Sequence, residues 1–389
     1  MDIIASSVSR LIVGFGVTGQ SVARFFEAKG QAYSLINDRP LSLDDAEFMH
    51  CKDTFIEAPS LERLRQYSEI FVSPGIDSTS GVFAEYRSLG GQIRSDVELF
   101  LEHFSGKIAL ITGTNGKSTV TDMLAFVLNS QGIRSQPCGN FGTPVLDLLL
   151  TDSPECAVVE ISSFQLDLLD VVRSDVATIL NVSPDHLDRY GDMRRYHQSK
   201  LKVYKGANRA VVNADDPLTV PLSVSERRQI RFRSGAPDLN EWGVINRDDD
   251  IWVCRGFTRY LKASDLKVVG LHNITNVATV FALVESLGGD VERAARAIID
   301  YQPLDHRCVE VARSGSVRFV NDSKATNVAA TLAALSGLDT IPVFLLLGGL
   351  AKGGDFAPLA KRLESLNVVP LIFGKDSASI QTALGHPEA

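Results

Sequence analysis

The stretch Ile108-Ala109-Leu110-Ile111-Thr112-Gly113-Thr114-Asn115-Gly116-Lys117-Ser118-Thr119 decides the fold of this chain. Its first five residues are uncharged and mostly apolar, and read as a buried strand. A glycine-bracketed turn follows, and then a helical pattern that runs to Ser130. Strand, glycine turn and helix in that order aim backbone N–H groups and a helix dipole at one point, which suits a phosphate. Lys117 is expected to reach the β- and γ-phosphates of a nucleotide, and Ser118 or Thr119 to offer a hydroxyl to Mg2+. The position six before Lys117 is Ile111 and not glycine, so the loop is a shorter variant of GxxxxGK[ST]. The competing reading is a glycine-rich turn with an exposed lysine.

On the amino-terminal side, Leu11 to Phe15 reads as another buried strand, and Gly14-x-Gly16-x-x-Gly19 opens a helical pattern over Thr18 to Lys29. A second strand covers Ala32 to Ile36. Asp38 follows Gly19 by nineteen residues, where a dinucleotide fingerprint places an acid that meets a ribose. Ile70 to Val72 is a further strand, closed by the turn Ser73-Pro74-Gly75, and Asp96 to Phe104 reads as a helix. Strands alternating with helices imply parallel βαβ units. The first boundary is expected at Ser105-Gly106. Two nucleotide-type loops in separate domains fit transfer of phosphate energy between substrates better than movement of a hydride. A nicotinamide dehydrogenase is the alternative, and it leaves Lys117 and Ser118 unexplained.

On the carboxyl side, strands are expected at Ala157 to Ile161, Val176 to Asn181, Arg209 to Asn213 and Ile230 to Phe232. Hairpins are expected within Glu241 to Val269, and helices at Asn273 to Leu287 and Val291 to Ile299. Pro303 marks a second linker. Beyond it, Val317 to Val320, Val343 to Leu347 and Val369 to Phe373 read as strands, with helices at Asn327 to Leu335 and Phe356 to Leu366. The chain of 389 residues thus reads as a multidomain α/β protein. Its 44% apolar and 22% charged residues exclude wholesale disorder. A net charge of −8 disfavours generic binding to nucleic acid or an anionic membrane. Five cysteines without a CxxC pair argue against a disulfide framework or structural zinc and fit a reducing cytosol. No secretory pattern opens the chain, and no apolar run is long enough to cross a bilayer.

Further polar residues sit where expected strands end. Glu160 closes one strand, and its successors Ser162, Ser163 and Gln165 suggest a strand end opening into a site. Asn181-Val-Ser-Pro-Asp185-His186-Leu-Asp188-Arg189-Tyr190 follows another. In open α/β sheets ligands lie outside the carboxyl ends of strands, so the Lys117 loop, Glu160 and His186 are expected to converge on one Mg2+–phosphate site. His186 as a capping or turn residue is the plain alternative. Lys200 reads from its neighbours as a solvated lysine. Asn273 and Asn276 share a helix face and suit an adenine edge, and Asn273 or Thr275 as helix cap competes with that reading. Asp248 to Asp250 reads as a solvated turn. The last constellation is Asp305-His306-Arg307, Asn321-Asp322-Ser323-Lys324-Ala325-Thr326-Asn327 and Gly348 to Asp355 with Lys352. Its cations and hydroxyl suit a phosphorylated group and a carboxylate substrate, with structural salt bridges as the alternative for Arg307 and Lys324.

GTNGKST, the Glu160-x-Ser-Ser-Phe segment, NVSPDHLDRY, HNITN, DHR and NDSKATN occur in an order and spacing that resembles the Mur ligases, from Arg10 to about Lys375. NDSKATN and the Ser73-Pro74-Gly75-Ile76 turn favour a D-glutamate-adding member over the alanine- and diaminoacid-adding ones. The resemblance implies three domains: a Rossmann-like one (1–105) for the UDP moiety, a central P-loop ATPase-like one with added hairpins (106–302), and a Rossmann-like one (303–389) for the amino acid. It implies ATP and Mg2+, with UDP-MurNAc-L-Ala and D-glutamate as substrates of a cytoplasmic monomer. Gly113, Thr114, Asn115, Gly116, Lys117, Ser118, Thr119, Asn273, Asn276, Arg307 and Asp322 would meet ATP. Ser118, Glu160, His186 and a carbamylated Lys200 would serve the metal, with Lys117, His186 and Lys200 as catalytic residues. Gly14, Gly16, Val17, Thr18, Gly19, Asp38, Arg39, Ser73, Pro74, Gly75 and Asn140 would hold the UDP substrate, and Lys324, Thr326 and Lys352 D-glutamate. This chain departs from the family pattern at Asn37-Asp38 and at Val309, and its segment from 303 on has 87 residues, for which a thin core is expected. A folylpolyglutamate-type ligase shares the ATP domain but not the amino-terminal one, and a non-catalytic nucleotide-binding protein is a third alternative.

Overall fold

The computed structural model describes residues 8–41, 46–169, 172–248, 250–336, 338, 341–351 and 354–385. The chain runs β1 (Arg10–Val13), α1 (Val17–Ala28), β2 (Tyr33–Asn37), β3 (Cys51–Ile56), α2 (Leu61–Leu64), β4 (Glu69–Val72), α3 (Gly81–Ser88), β5 (Ile93–Arg94) and α4 (Asp96–His103). It continues through β6 (Lys107–Thr112), α5 (Lys117–Asn129), β7 (Ser135–Gly139), β8 (Cys156–Glu160), α6 (Ser163–Asp167), β9 (Ser174–Ile179), α7 (Leu187–Tyr190), α8 (Met193–Leu201) and β10 (Ala207–Asn213). Then come β11 (Gln229–Phe232), β12 (Glu241–Arg247), β13 (Asp250–Arg255), β14 (Thr258–Lys262), α9 (Leu271–Ser286) and α10 (Val291–Ala297). The last elements are β15 (Val309–Ser314), β16 (Val317–Asn321), α11 (Val328–Ala334), β17 (Val343–Gly348), α12 (Ala357–Leu363), β18 (Val368–Phe373) and α13 (Ser377–Ala383). Internal contacts divide the chain into two units: 1–112 with 133–177 and 199–208, and 113–132 with 178–198 and 209–389.

The first unit carries a five-stranded, all-parallel sheet in the order β3-β2-β1-β4-β5. Leu11, Ile12 and Val13 are buried because both faces of a parallel strand are covered. Strand order reverses between β1 and β4, and the loops at their carboxyl ends are Gly14–Gly19 and Ser73–Gly75. That crevice is where such sheets take ligands. α1 lies against the sheet through Val22, Ala23, Phe25 and Phe26, and Gly19 permits the approach: a Cβ there would sit 2.1 Å from the Gly14 carbonyl oxygen. In the same unit β6, β8 and β7 pair in parallel, with Ile111 opposite Glu160 and Gly139 opposite Glu160.

In the second unit β10, β11 and β12 pair in parallel, and β12, β13 and β14 form the expected antiparallel hairpins. α9 is apolar on nearly all sides, and Val277 to Val284 are buried almost without exception. Trp242 meets Phe281 edge to face at 5.4 Å, and its indole N–H donates to Glu285 at 2.9 Å. Arg255 grips the same carboxylate through two hydrogen bonds of 2.6 and 2.7 Å. β15–β16 is an antiparallel hairpin and β17–β18 a parallel pair. One face of β17–β18 packs on Leu335, Leu359, Leu366, Ile380 and Leu384. β15 and α13 belong to no element expected from the sequence. β15 is largely exposed, and its apolar alternation is confined to Val309 and Val311, too short to signal a strand.

Candidate functional site

In the second unit, the Gly113–Gly116 turn delivers the chain into α5. Gly116 occupies the N-cap in a left-handed conformation (φ 84°), without a side-chain cap or an acid in the first turn. A helix start of this kind, with the positive end of its dipole and no acid beside it, favours an anion. A side chain at Gly116 would crowd the Asn276 amide at 3.1 Å. Lys117 folds back over the turn, its ammonium donating to the Gly113 and Thr114 carbonyls at 2.9 Å each. This lysine is not the free surface cation of the plain reading.

The residues after β9 hold the turn. Asn181 Oδ1 accepts from the Asn115 N–H at 2.9 Å, and Asn181 Nδ2 donates to the Asn115 carbonyl at 3.1 Å. The Asn181 carbonyl accepts from the Thr114 N–H, and Thr114 Oγ1 accepts from the Ser183 N–H at 3.0 Å. Thr114 Oγ1 also lies 3.2 Å from the hydroxyl of buried Tyr196, whose pKa burial pushes up. His186 is the N-cap residue of α7, left-handed at φ 52° and making no cap bond, so the turn reading describes its backbone. Its ring is partly exposed, 3.8 Å from the Asp185 carboxylate.

Arg307 comes from 189 residues further along the chain and donates to Ser118 Oγ at 2.7 Å. Its turn has His306 and Cys308 in left-handed backbone, an uncommon arrangement for side-chain-bearing residues. Asp322 accepts from the Cys308 N–H at 3.0 Å, and burial raises its pKa against the opposing pull of Arg307. Asn273 and Asn276 do share a face, joined by a 3.2 Å hydrogen bond. Neither Asn273 nor Thr275 caps α9. The cap is Gly270, and Thr275 Oγ1 bonds back to the Leu271 carbonyl. Lys324 and Thr326 are exposed, and Lys352 lies outside the described residues, as does residue 249 of the Asp248–Asp250 turn.

In the first unit, Ser73 Oγ donates to the Gly14 carbonyl at 3.0 Å and Asn37 Oδ1 accepts from the Phe15 N–H at 3.2 Å. The two loops of the strand-order reversal are thus joined. No heavy atom lies within 4 Å of a Cβ built at Gly16, which leaves its backbone open to a ligand. Val17, Asp38, Arg39 and Gly75 are exposed, while Thr18, Ser73 and Pro74 are half-buried. Glu160 ends β8 in a buried position. Its Oε1 accepts from Asn140 Nδ2 at 2.6 Å, and its Oε2 is buried with no hydrogen-bond partner. Ser162 and Gln165 serve α6 and not a ligand: they form a reciprocal capping box. Lys200 is only 1% exposed, which corrects its reading as a solvated lysine.

Sequence reasoning left Asn181, Asp185 and Asn327 without a role, although all three lie in the quoted motifs. The available signal was position, because each stands in the first residues after a strand. Among the described residues no three of His, Cys, Asp and Glu converge as a ready-made metal centre.

A parallel sheet reversed at a glycine loop, with a second phosphate-type loop gripped by a remote arginine, defines a nucleotide-dependent α/β enzyme. Residues 111–284 match the Mur ligase middle domain, and residues 8–95 match the MurD-like N-terminal domain of Mur ligases. The chain belongs to the Mur ligase family and is a ligase. It is 36% identical over 382 residues to the UDP-N-acetylmuramoylalanine–D-glutamate ligase of Acinetobacter baylyi, covering 96% of this chain and 85% of that one. It is 35% identical over 393 residues to the enzyme of the same name from Hahella chejuensis, covering 99% and 87%. Among solved structures, a pseudomurein peptide ligase type C from Methanothermus fervidus aligns at TM-score 0.61 with 17% identity, over 98% of this chain and 87% of that one. The MurF ligase of Thermotoga maritima in complex with ADP aligns at TM-score 0.56 with 17% identity, over 97% and 94%. The family is ATP-dependent and works on small molecules. Among the described residues no helix is long and apolar enough to cross a membrane.

Proposed function

We propose that this chain joins D-glutamate to UDP-N-acetylmuramoyl-L-alanine at the expense of ATP, as a monomer in the cytoplasm, for peptidoglycan precursor synthesis. The observation that carries the choice of substrates is the 36% identity, across 96% of the chain, to a ligase of that name. Residues 1–105 serve the UDP substrate through Gly14, Gly16, Val17, Thr18, Gly19, Asp38, Arg39, Ser73, Pro74 and Gly75, and Asn140 serves its muramoyl part. Residues 106–302 serve ATP, and 303–389 the amino acid through Lys324, Thr326 and Lys352.

The substrate carboxylate and the γ-phosphate are both anions, so their reaction needs cationic help. Lys117 is already held over the turn by two carbonyls, the start of α5 presents the positive end of its helix dipole, and Arg307 stands on Ser118. These groups would bind the β- and γ-phosphates and offset the charge that builds as phosphorus passes from ADP to the carboxylate oxygen. Asn273 and Asn276 would meet the adenine, and Asp322 would orient the Arg307 turn. The D-glutamate amine then attacks the acyl phosphate carbon, phosphate leaves, and the amine gives up its proton. Exclusion of water at that stage protects the acyl phosphate.

The residues present fit Mg2+. Within the first unit Glu160 offers the ion a buried, unpartnered carboxylate oxygen; within the second, Ser118 and His186 would supply an oxygen and an imidazole. Mg2+ bound with few protein ligands and several phosphate oxygens is the usual pattern, and it neutralises phosphate charge. A carbamylated Lys200 would add a buried carboxylate-like group.

Phosphate release with ATP and UDP-MurNAc-L-Ala, across a panel of D- and L-amino acids, tests the reading. Turnover that depends on D-glutamate is expected. Turnover with L-alanine or a diamino acid instead, or none with D-glutamate, would overturn it.

A further inference from the structure

Asn115, the third residue of the phosphate-type turn, is held from two sides. Its backbone belongs to Asn181, through the N–H at 2.9 Å and the carbonyl at 3.1 Å. Its side chain belongs to Asn327: Asn115 Nδ2 donates to Asn327 Oδ1 at 3.3 Å, and Asn327 Nδ2 donates to Asn115 Oδ1 at 3.0 Å. The two residues are 212 apart in sequence. A two-way pair of this kind requires a donor and an acceptor on each partner, which only primary amides supply in this form. Asn327 Nδ2 also lies 3.5 Å from Asp185 Oδ2, and Asn327 Oδ1 accepts from the Ala330 N–H at 2.9 Å, capping α11. Asn327 therefore has two separable jobs, a local cap and a remote bridge.

We propose that Asn327 is a positioning residue that sets the register of the 321–327 segment, with Lys324 and Thr326, against the phosphate turn through Asn115. This rests on the reading that the segment receives D-glutamate. The turn keeps its own backbone support from Asn181 when the bridge is lost. Phosphate transfer to the substrate carboxylate, the first half of the reaction, is accordingly independent of Asn327. Attack by the amine, the second half, depends on it, because Thr326 is covalently next to the bridging residue.

Serine is as good an N-cap as asparagine but cannot form the amide pair. Asn327→Ser thus removes the bridge and keeps the cap, whereas Asn327→Ala removes both. Three quantities are to be compared with wild type: thermal stability, ATP–ADP exchange with UDP-MurNAc-L-Ala and no D-glutamate, and the KM for D-glutamate in the full reaction. For Asn327→Ser, the exchange rate is expected to stay at the wild-type value and the midpoint of unfolding to fall by less than in Asn327→Ala, because the cap is kept. The KM for D-glutamate is expected to rise about tenfold, the effect of losing hydrogen bonds of ordinary strength. Asn327→Ala should show the same KM change together with lower stability. An unchanged KM in Asn327→Ser, or an exchange rate that falls by the same factor, would overturn the proposal. Absence of D-glutamate turnover in wild type would instead count against the function. In that event amide hydrogen exchange of residues 321–327 decides the bridge: faster exchange in Asn327→Ser supports it, and equal exchange refutes it.

Discussion

Asp96 stands at the first position of α4, behind the capping hydroxyl of Ser95, and is only 4% exposed. Its Oδ1 has no hydrogen-bond partner. Burial pushes its pKa up to about 6, against the opposing effect of the backbone amides of Asp96 and Val97. An unfolded aspartate loses its proton near 4. Between these values the folded chain keeps a proton that the unfolded chain has released, so stability is fully present below about 4 and falls as pH rises through about 6. By linkage the loss at pH 7 is on the order of 3 kcal/mol. Asp96→Asn removes the charge and keeps the shape. Urea unfolding should show the variant more stable than wild type by up to about that amount at pH 7 and nearly equal to it at pH 4. A variant less stable than wild type at pH 7 would show that the charge is favourable where it stands, through the helix dipole. The residue scale also marks what a sequence conceals. Lys200 follows Gln198 and Ser199 on α8 and still lies buried, because neighbours in sequence do not report which side of a helix the tertiary fold covers.

At the scale of elements, the glycines of the Gly14–Gly19 loop divide their work. Gly19 is a packing residue: its missing Cβ lets α1 cross the Gly14 carbonyl. Gly16 has ordinary backbone (φ −74°) and open space around it, so its missing side chain serves whatever approaches from outside. Gly19→Ala must push α1 off β1, and overpacking of this kind costs about 1–3 kcal/mol. Gly16→Ala should leave the unfolding midpoint unchanged and weaken binding of a UDP-linked ligand. Calorimetry and ligand titration on the two variants separate the roles, and equal loss of stability in both would refute the division. Both glycines were legible in the sequence because their spacing follows from the turn they build. The β1, β6 and β8 strands were legible for a related reason, since strands buried on both faces read as unbroken apolar runs. The short β5 and the amphipathic α3 carry weaker patterns and were not read. The Arg307–Ser118 contact was expected only as a shared ligand, because a sequence gives the members of a site and not the distances between them.

At the scale of the whole molecule, burial is uneven along the chain. In β6 and β8, Ile108 to Ile111 and Ala157 to Val159 are fully buried. In β17 and β18, every second residue faces outward among the described residues, and apart from Gly348 those residues carry apolar side chains: Phe344, Leu346, Val369, Leu371 and Phe373. Phe344 is 69% exposed and Leu346 66%. The register puts Phe344 beside Val369 and Leu346 beside Leu371, so the outward residues form one continuous apolar face. Among the described residues, this parallel pair packs on one side, against Leu335, Leu359, Leu366, Ile380 and Leu384. Parallel sheets normally have both faces covered, and a two-stranded sheet is marginal by itself. The free energy of local opening follows buried apolar contact, so it must be smaller here than in the sheet that carries Glu160. Hydrogen exchange should therefore be faster at the amides of Val343–Gly348 and Val368–Phe373 than at those of Lys107–Thr112 and Cys156–Glu160. The difference should be at least about tenfold, which only 1.4 kcal/mol of local stability is enough to produce. Equal protection in the two regions would mean that the outward face of β17–β18 is covered in solution. Exchange measured over a range of protein concentrations would then show whether a second molecule provides the cover, since protection by self-association weakens on dilution.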